Sequence, residues 1–148
     1  MTLAKNPRAK FDYDILKTYE AGIVLTGQEV KSVRAGNVSL KGAYATLKGE
    51  EVWLLNAHIG AYKKAGSLKD YDPTASRKLL LHGREIKELM GKIHSQGLTL
   101  IPVSLYTKGR RLKVELGLAR GRKKYEKREV IKKRAVDREI REKLRRSY

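Results

Sequence analysis

From Phe11 to Leu25 the chain alternates, and this stretch constrains the fold more than any other. Phe11, Tyr13, Ile15, Tyr19, Ala21, Ile23 and Leu25 take odd positions, with Lys17 among them, while Asp12, Asp14, Thr18 and Glu20 fall between. Period two over such a length is the mark of a half-buried strand. It is too long to run straight in a small sheet. Glu20-Ala21-Gly22 offers a bend, because glycine relaxes the backbone where a strand must kink. A long, bent first strand suits a small closed or nearly closed antiparallel barrel, which removes exposed edges.

The remaining punctuation fits a mainly β chain of five or six strands with two or three helices. Thr26-Gly27-Gln28-Glu29 is a capping box, followed by Val30 and Val33 one turn apart and Gly36 as a stop. Tyr44–Leu47 and Val52–Ile59 flank Lys48-Gly49-Glu50-Glu51 and predict a hairpin. Residues 62–76, with Gly66, Asp70, Asp72 and Pro73, read as a loop. Leu79-Leu80-Leu81 reads as a short strand. Ile86, Leu89, Met90 and Ile93 then form a helical stripe ended by Gly97. A second hairpin follows, from Leu98–Tyr106 through Lys108-Gly109 to the alternating Leu112, Val114, Leu116 and Leu118. Pro102 cannot donate to a ladder, which places it at an edge or a bulge.

Charge narrows the function. The 148 residues form one domain with a formal net charge of +18. Residues 120–148 hold 14 basic and 5 acidic residues, so the final fifth carries half of that excess. Such a field favours a polyanion, above all nucleic acid. The chain has no cysteine, which excludes disulfides and thiolate chemistry. No apolar run reaches membrane-spanning length and the N-terminus lacks a signal-peptide core, so the expected location is the cytoplasm.

Other chemistry is weaker. Asp12, Asp14 and Glu20 would share the outward face of the first strand, a spacing open to acid–base work. Alternate acidic residues on a solvent face are common, and no phosphate loop or nucleophile motif accompanies them. His58, His82 and His94 lack metal-ligand spacing; His82 precedes a helix and His94 lies near its end. Tyr13, Tyr19, Tyr44, Trp53, Tyr62 and Tyr106 could stack on bases, but strand alternation favours burial for most, with Tyr62 the least committed. Beyond Gly121, the pairs Glu129/Lys133, Asp137/Arg141, Glu139/Lys143 and Glu142/Arg146 support a helix. Val136, Ile140 and Leu144 make only a narrow apolar line. The tail is either a frayed basic arm or, on the better reading, a segment that turns helical when a polyanionic surface neutralises it.

"NPRAKFDYDILKTYEAGIVLTGQEVKSVRAG", "RKLLLHGREI", "GLTLIPVSLY" and "KVELGLARGRKKYEKR" resemble the small protein B family, SmpB, the SsrA-binding proteins of bacteria. The resemblance runs from Asn6 to about Arg134. It implies an OB-like barrel over residues 1–121 and a tail over 122–148 that is disordered in solution and helical on the ribosome. It also implies a monomer with no cofactor and no enzymatic activity. The barrel would bind the tRNA-like domain of transfer-messenger RNA. The tail would occupy the empty messenger channel near the small-subunit decoding centre of a stalled ribosome. Elongation factor Tu would be met only indirectly, through the RNA. By motif position, Asn6, Glu20, Leu80 and Lys113 would touch the RNA, and Arg120 and Arg122 are grouped with them. Leu80 is equally compatible with the core. Lys123, Lys124, Tyr125, Glu126, Lys127 and Arg128, with Lys132, Lys133 and Arg134, would act on the ribosome. Phe11 stands where the family usually has histidine before Asp-Tyr, and Gly42-Ala43-Tyr44 replaces a common Asp-Ser-Tyr.

Overall fold

The alternating stretch folds as a strand that begins later than its pattern suggests. The structure, a computed structural model, describes residues 1–62, 70–121, 134, 135, 138 and 140. Strand β1 (Thr2–Lys5) precedes a short helix α1 (Ala9–Asp12), and only then does β2 run from Tyr13 to Ile23. Pro7 presets a helical φ, and the Asn6 side-chain oxygen accepts the Arg8 N–H at 3.2 Å, so the chain turns before it extends. Phe11 and Asp12 are therefore helical, and Asp12 and Asp14 do not share a strand face. That corrects the expected acidic row.

The capping box forms as expected. Thr26 accepts from the Glu29 N–H at 3.2 Å, and Glu29 accepts from the Thr26 N–H at 3.0 Å, opening α2 (Gly27–Arg34). Gly36 takes φ 85°, a value glycine reaches without a Cβ penalty. After β3 (Val38–Ser39), β4 (Tyr44–Lys48) and β5 (Glu51–Leu55) make the predicted hairpin. The predicted second strand of that hairpin, Val52–Ile59, is broken. Asn56 adopts φ 62°, and His58–Ile59 leaves as β6 to pair with β3 in a separate two-stranded sheet. Then come β7 (Arg77–Leu80), α3 (Gly83–Gln96), β8 (Thr99–Lys108) and β9 (Arg111–Gly121).

The larger sheet has the order β1-β8-β4-β5-β7-β2-β9, and β8 also pairs with β9. The ladder from β8 through β4, β5, β7, β2 and β9 therefore returns to β8. The fold is mainly antiparallel β, with nine strands and three helices among the described residues. The strands beyond the expected five or six are β1, β3 and β6, too short to leave a periodic trace. Pro102 sits beside a register shift between Pro102 and Ser104, a bulge in an interior strand. A register shift in β2 lies between Ile15 and Lys17. At Gly22 the strand passes from β9 to β7 as partner.

Side chains on the inner face, including Ala21, Val52, Leu54, Leu79, Val114 and Leu116, form the core with Val33 of α2 and Leu89 of α3. A smaller cluster of Ala9, Ile101 and Ala119 packs with Tyr13, Ile15 and Val103 where α1 lies. Burial was expected for most of the aromatics. Tyr19 is buried, Tyr13, Trp53, Tyr62 and Tyr106 are half-buried, and Tyr44 is exposed. Among the described residues one ion pair is buried: Arg77 Nε donates to Glu29 Oε2 at 2.8 Å, while its other nitrogens reach the carbonyls of Ala57 and Pro73.

Candidate nucleic-acid interface

Where β2 changes partners, Gly22 lies opposite Leu80 on one side and Lys113 on the other. Their chain neighbours Ala21, Leu79 and Val114 are buried, so pleating turns this row outward. Leu80 is accordingly 51% exposed, which decides between core and surface. Glu20, two residues before Gly22, shares the outer face. Three of the four residues singled out by motif therefore converge, in a depression of about 350 Å³ that Arg111 and His82 also line.

The Glu20 carboxylate is held by two groups that the sequence did not single out together. Tyr106 donates its hydroxyl to Oε2 at 2.6 Å, and Lys108 Nζ lies 3.2 Å from Oε1. The Tyr106 bond first, then Lys108, hold the carboxyl below its ordinary pKa. Burial, then the bond to Glu20, push the Tyr106 phenol up. Glu20 thus stays ionised and fixed in direction. A carboxylate has about four acceptor positions, so it retains capacity for amino donors of a base. Tyr106 sits opposite Lys113 in the β8–β9 ladder, which makes it a member of the same neighbourhood. Alternation placed Tyr106 on a strand, but only the cross-strand register reveals its partner.

Asn6 lies elsewhere. Its Nδ2 donates to the Pro102 carbonyl at 2.9 Å while Oδ1 accepts from Arg8, so the side chain joins the β8 bulge to the start of α1. It lines a separate depression with Lys5, Lys10, Ser104, Glu115 and Arg134. The ladder still links the two areas, since Lys5, Ser104, Glu115 and Glu20 face one another in successive strands. Arg120 is exposed opposite Asp14, farther along β9. Arg134 is exposed on helical backbone. Arg122, Lys123, Lys124, Tyr125, Glu126, Lys127, Arg128, Lys132 and Lys133 lie outside the described residues.

Comparison with known proteins adds to this geometry. The family profile described as SmpB protein matches residues 3–146. The chain belongs to the SmpB family. An SsrA-binding protein of Chloroflexus aggregans is 52% identical over 144 residues, covering 97% of this chain and 91% of the relative. One from Trichodesmium erythraeum is 49% identical, covering 95% and 92%. A solved chain from work headed "tmRNA-SmpB: a journey to the center of the bacterial ribosome" is 50% identical with a TM-score of 0.65, covering 81% of this chain and 84% of its own.

SmpB proteins are non-enzymatic RNA-binding proteins. The acidic-row reading has already lost its geometry here, because Asp12 is in α1. Among the described residues no group of three or more His, Asp or Glu side chains could hold a metal ion. His82 instead takes the N-cap position of α3, where its N–H donates to Glu85 at 3.1 Å, and His94 lies in that helix's last turn. No helix among the described residues is long and apolar enough to cross a membrane.

Proposed function

We propose that this chain binds the tRNA-like domain of transfer-messenger RNA and delivers that RNA to stalled ribosomes for trans-translation. Residues 1–121 act as an OB-like barrel, a reading supported by the ladder that returns from β9 to β8. Residues 122–148 act as a basic tail that becomes helical in the empty messenger channel near the decoding centre. Elongation factor Tu joins only through the RNA. The observation that carries the proposal is the outward convergence of Glu20, Leu80 and Lys113 on three adjacent strands, in a chain whose relatives are named for binding SsrA. A fixed carboxylate, an exposed apolar side chain and a cation together suit a nucleotide: edge, face and phosphate.

The test is direct binding of a transcript of the tRNA-like domain, with an elongator tRNA as competitor, at one fixed salt concentration. Lys113→Ala and Leu80→Ala should each weaken binding about tenfold, the scale of one good contact of roughly 1–3 kcal/mol. Both variants should retain the parent's thermal midpoint, because neither side chain is in the core. Equal affinity of both variants and the parent would remove this row from the interface. No preference over elongator tRNA would reduce the chain to a general structured-RNA binder.

A further inference from the structure

Past the Leu80–Gly22–Lys113 row, the surface continues into a second groove of about 260 Å³. Leu25, Val30 and Leu112 give it an apolar lining, and four cations surround them: Arg34, Arg110, Arg111 and Lys113. No carboxylate lines it among the described residues. The Glu20 depression is different, because Glu20 and Glu85 face Arg111, Lys113 and His82 there. Mixed charge can answer the donors and acceptors of a base edge. A lining whose charges are all cationic favours an anion.

Arg34 is held in place. It ends α2, where helix carbonyls favour a cation, and its Nη2 donates to the Arg110 carbonyl at 2.5 Å. That bond ties the helix to the β8–β9 turn, which Gly109 closes at φ 62°. A guanidinium has five donors, so others remain for a ligand. Gly22 joins the two halves, since it lines both and sits between Leu80 and Lys113. A Cβ at Gly22 would meet the Leu80 Cβ at 3.4 Å, an ordinary contact, so the fold accepts a methyl group there while the passage narrows.

We infer that this groove is a phosphate subsite for an RNA strand that crosses Gly22, with the adjoining base in the Glu20 depression. The inference rests on the RNA-binding reading of that depression and extends it to Arg34, Arg110 and Arg111. The strand meets its phosphates on the α2 side and its base edge on the α3 side.

The experiment measures binding of a transcript of the tRNA-like domain between about 50 and 200 mM salt. Arg110→Gln/Arg111→Gln should lower the slope of log affinity against log salt by about 0.7–0.9 for each phosphate that is no longer neutralised. Lys48→Gln/Lys87→Gln, an exposed pair outside both depressions, should leave the slope unchanged. Gly22→Ala should bind about tenfold more weakly with an unchanged thermal midpoint. An unchanged slope for the arginine variant, or an equal fall in the lysine control, overturns the subsite even though the parent binds. Parent-like binding by Gly22→Ala overturns the crossing. Failure of the parent to bind the transcript refutes the RNA-binding reading, and the subsite falls with it.

Discussion

Two carboxylates show how this surface uses acid in a basic protein. Glu20 is held by Tyr106 and Lys108 at the proposed RNA site, with Lys113 nearby. Glu88, on α3, is held by Lys17 and Tyr19, which join that helix to β2, and by Lys92 one turn along α3. The Lys17 bond, then Lys92 and Tyr19, bring the Glu88 pKa down from 4.5 to about 2. A carboxyl whose folded pKa is depressed stabilises the fold fully above its unfolded value and loses that contribution as pH falls through the folded one. The difference in thermal midpoint between the parent and Glu88→Gln should therefore be largest above pH 4.5 and fade towards pH 2. Melting both proteins across that range checks it. A difference that does not change between those limits would mean that Glu88 acts through packing alone. Because the group is only half-buried, solvent screening keeps the effect small.

At the scale of elements, the buried Arg77–Glu29 pair fastens parts that no ladder connects. Arg77 opens β7, Glu29 belongs to the capping box of α2, and Ala57 and Pro73 lie in the connections around them. The two side chains are 3% and 9% exposed. Removing one partner leaves a buried charge without compensation, at a cost of about 3–5 kcal/mol. Arg77→Ala should lose stability on that scale in denaturant unfolding. Lys78→Ala, which removes the exposed Lys78–Glu51 pair, should change it by about 1 kcal/mol or less. Comparable losses for the two variants would show that burial does not set the strength of the Arg77 pair. The same pair holds β7 against α2, so it supports the strand that presents Leu80.

For the molecule as a whole, the +18 charge is divided between residues 1–121 and the basic region after Gly121. The proposed division of labour gives binding to the first and ribosomal action to the second. Truncation before Tyr125 spares Glu20, Leu80, Lys113 and both hairpins. The shortened protein should fold and bind the tRNA-like domain with modest loss, yet fail to support tagging on stalled ribosomes. Ala135→Pro should show the same separation without any change in charge, because proline inside a helix costs about 3 kcal/mol. Parent-like tagging by the proline variant would show that the tail acts as a charge arm rather than a conditional helix. Binding and tagging assays on the same preparations distinguish these outcomes.

The sequence by itself determined the features that depend on neighbours along the chain. The capping box at Thr26–Glu29, the helical stripe ended by Gly97, and the Gly49 and Gly109 turns all follow from local sterics and short-range hydrogen bonds. Alternation in β9 likewise assigned Lys113 outward, because pleating has a fixed period. Motif resemblance chose Glu20, Leu80 and Lys113, but composition and spacing alone could not bring them together. Short features escaped: α1 and the β5–β6 break depend on single turns, which carry too few residues for a periodic signal. Tertiary structure decided that Leu80 faces solvent, since three consecutive leucines look alike until Leu79 is seen packed in the core. It also decided that Asn6 braces the β8 bulge and that Glu20 is held from β8. Those hydrogen bonds span 96 and 86 residues of sequence separation. Their geometry is set by strand register, and register belongs to the assembled sheet rather than to any one segment.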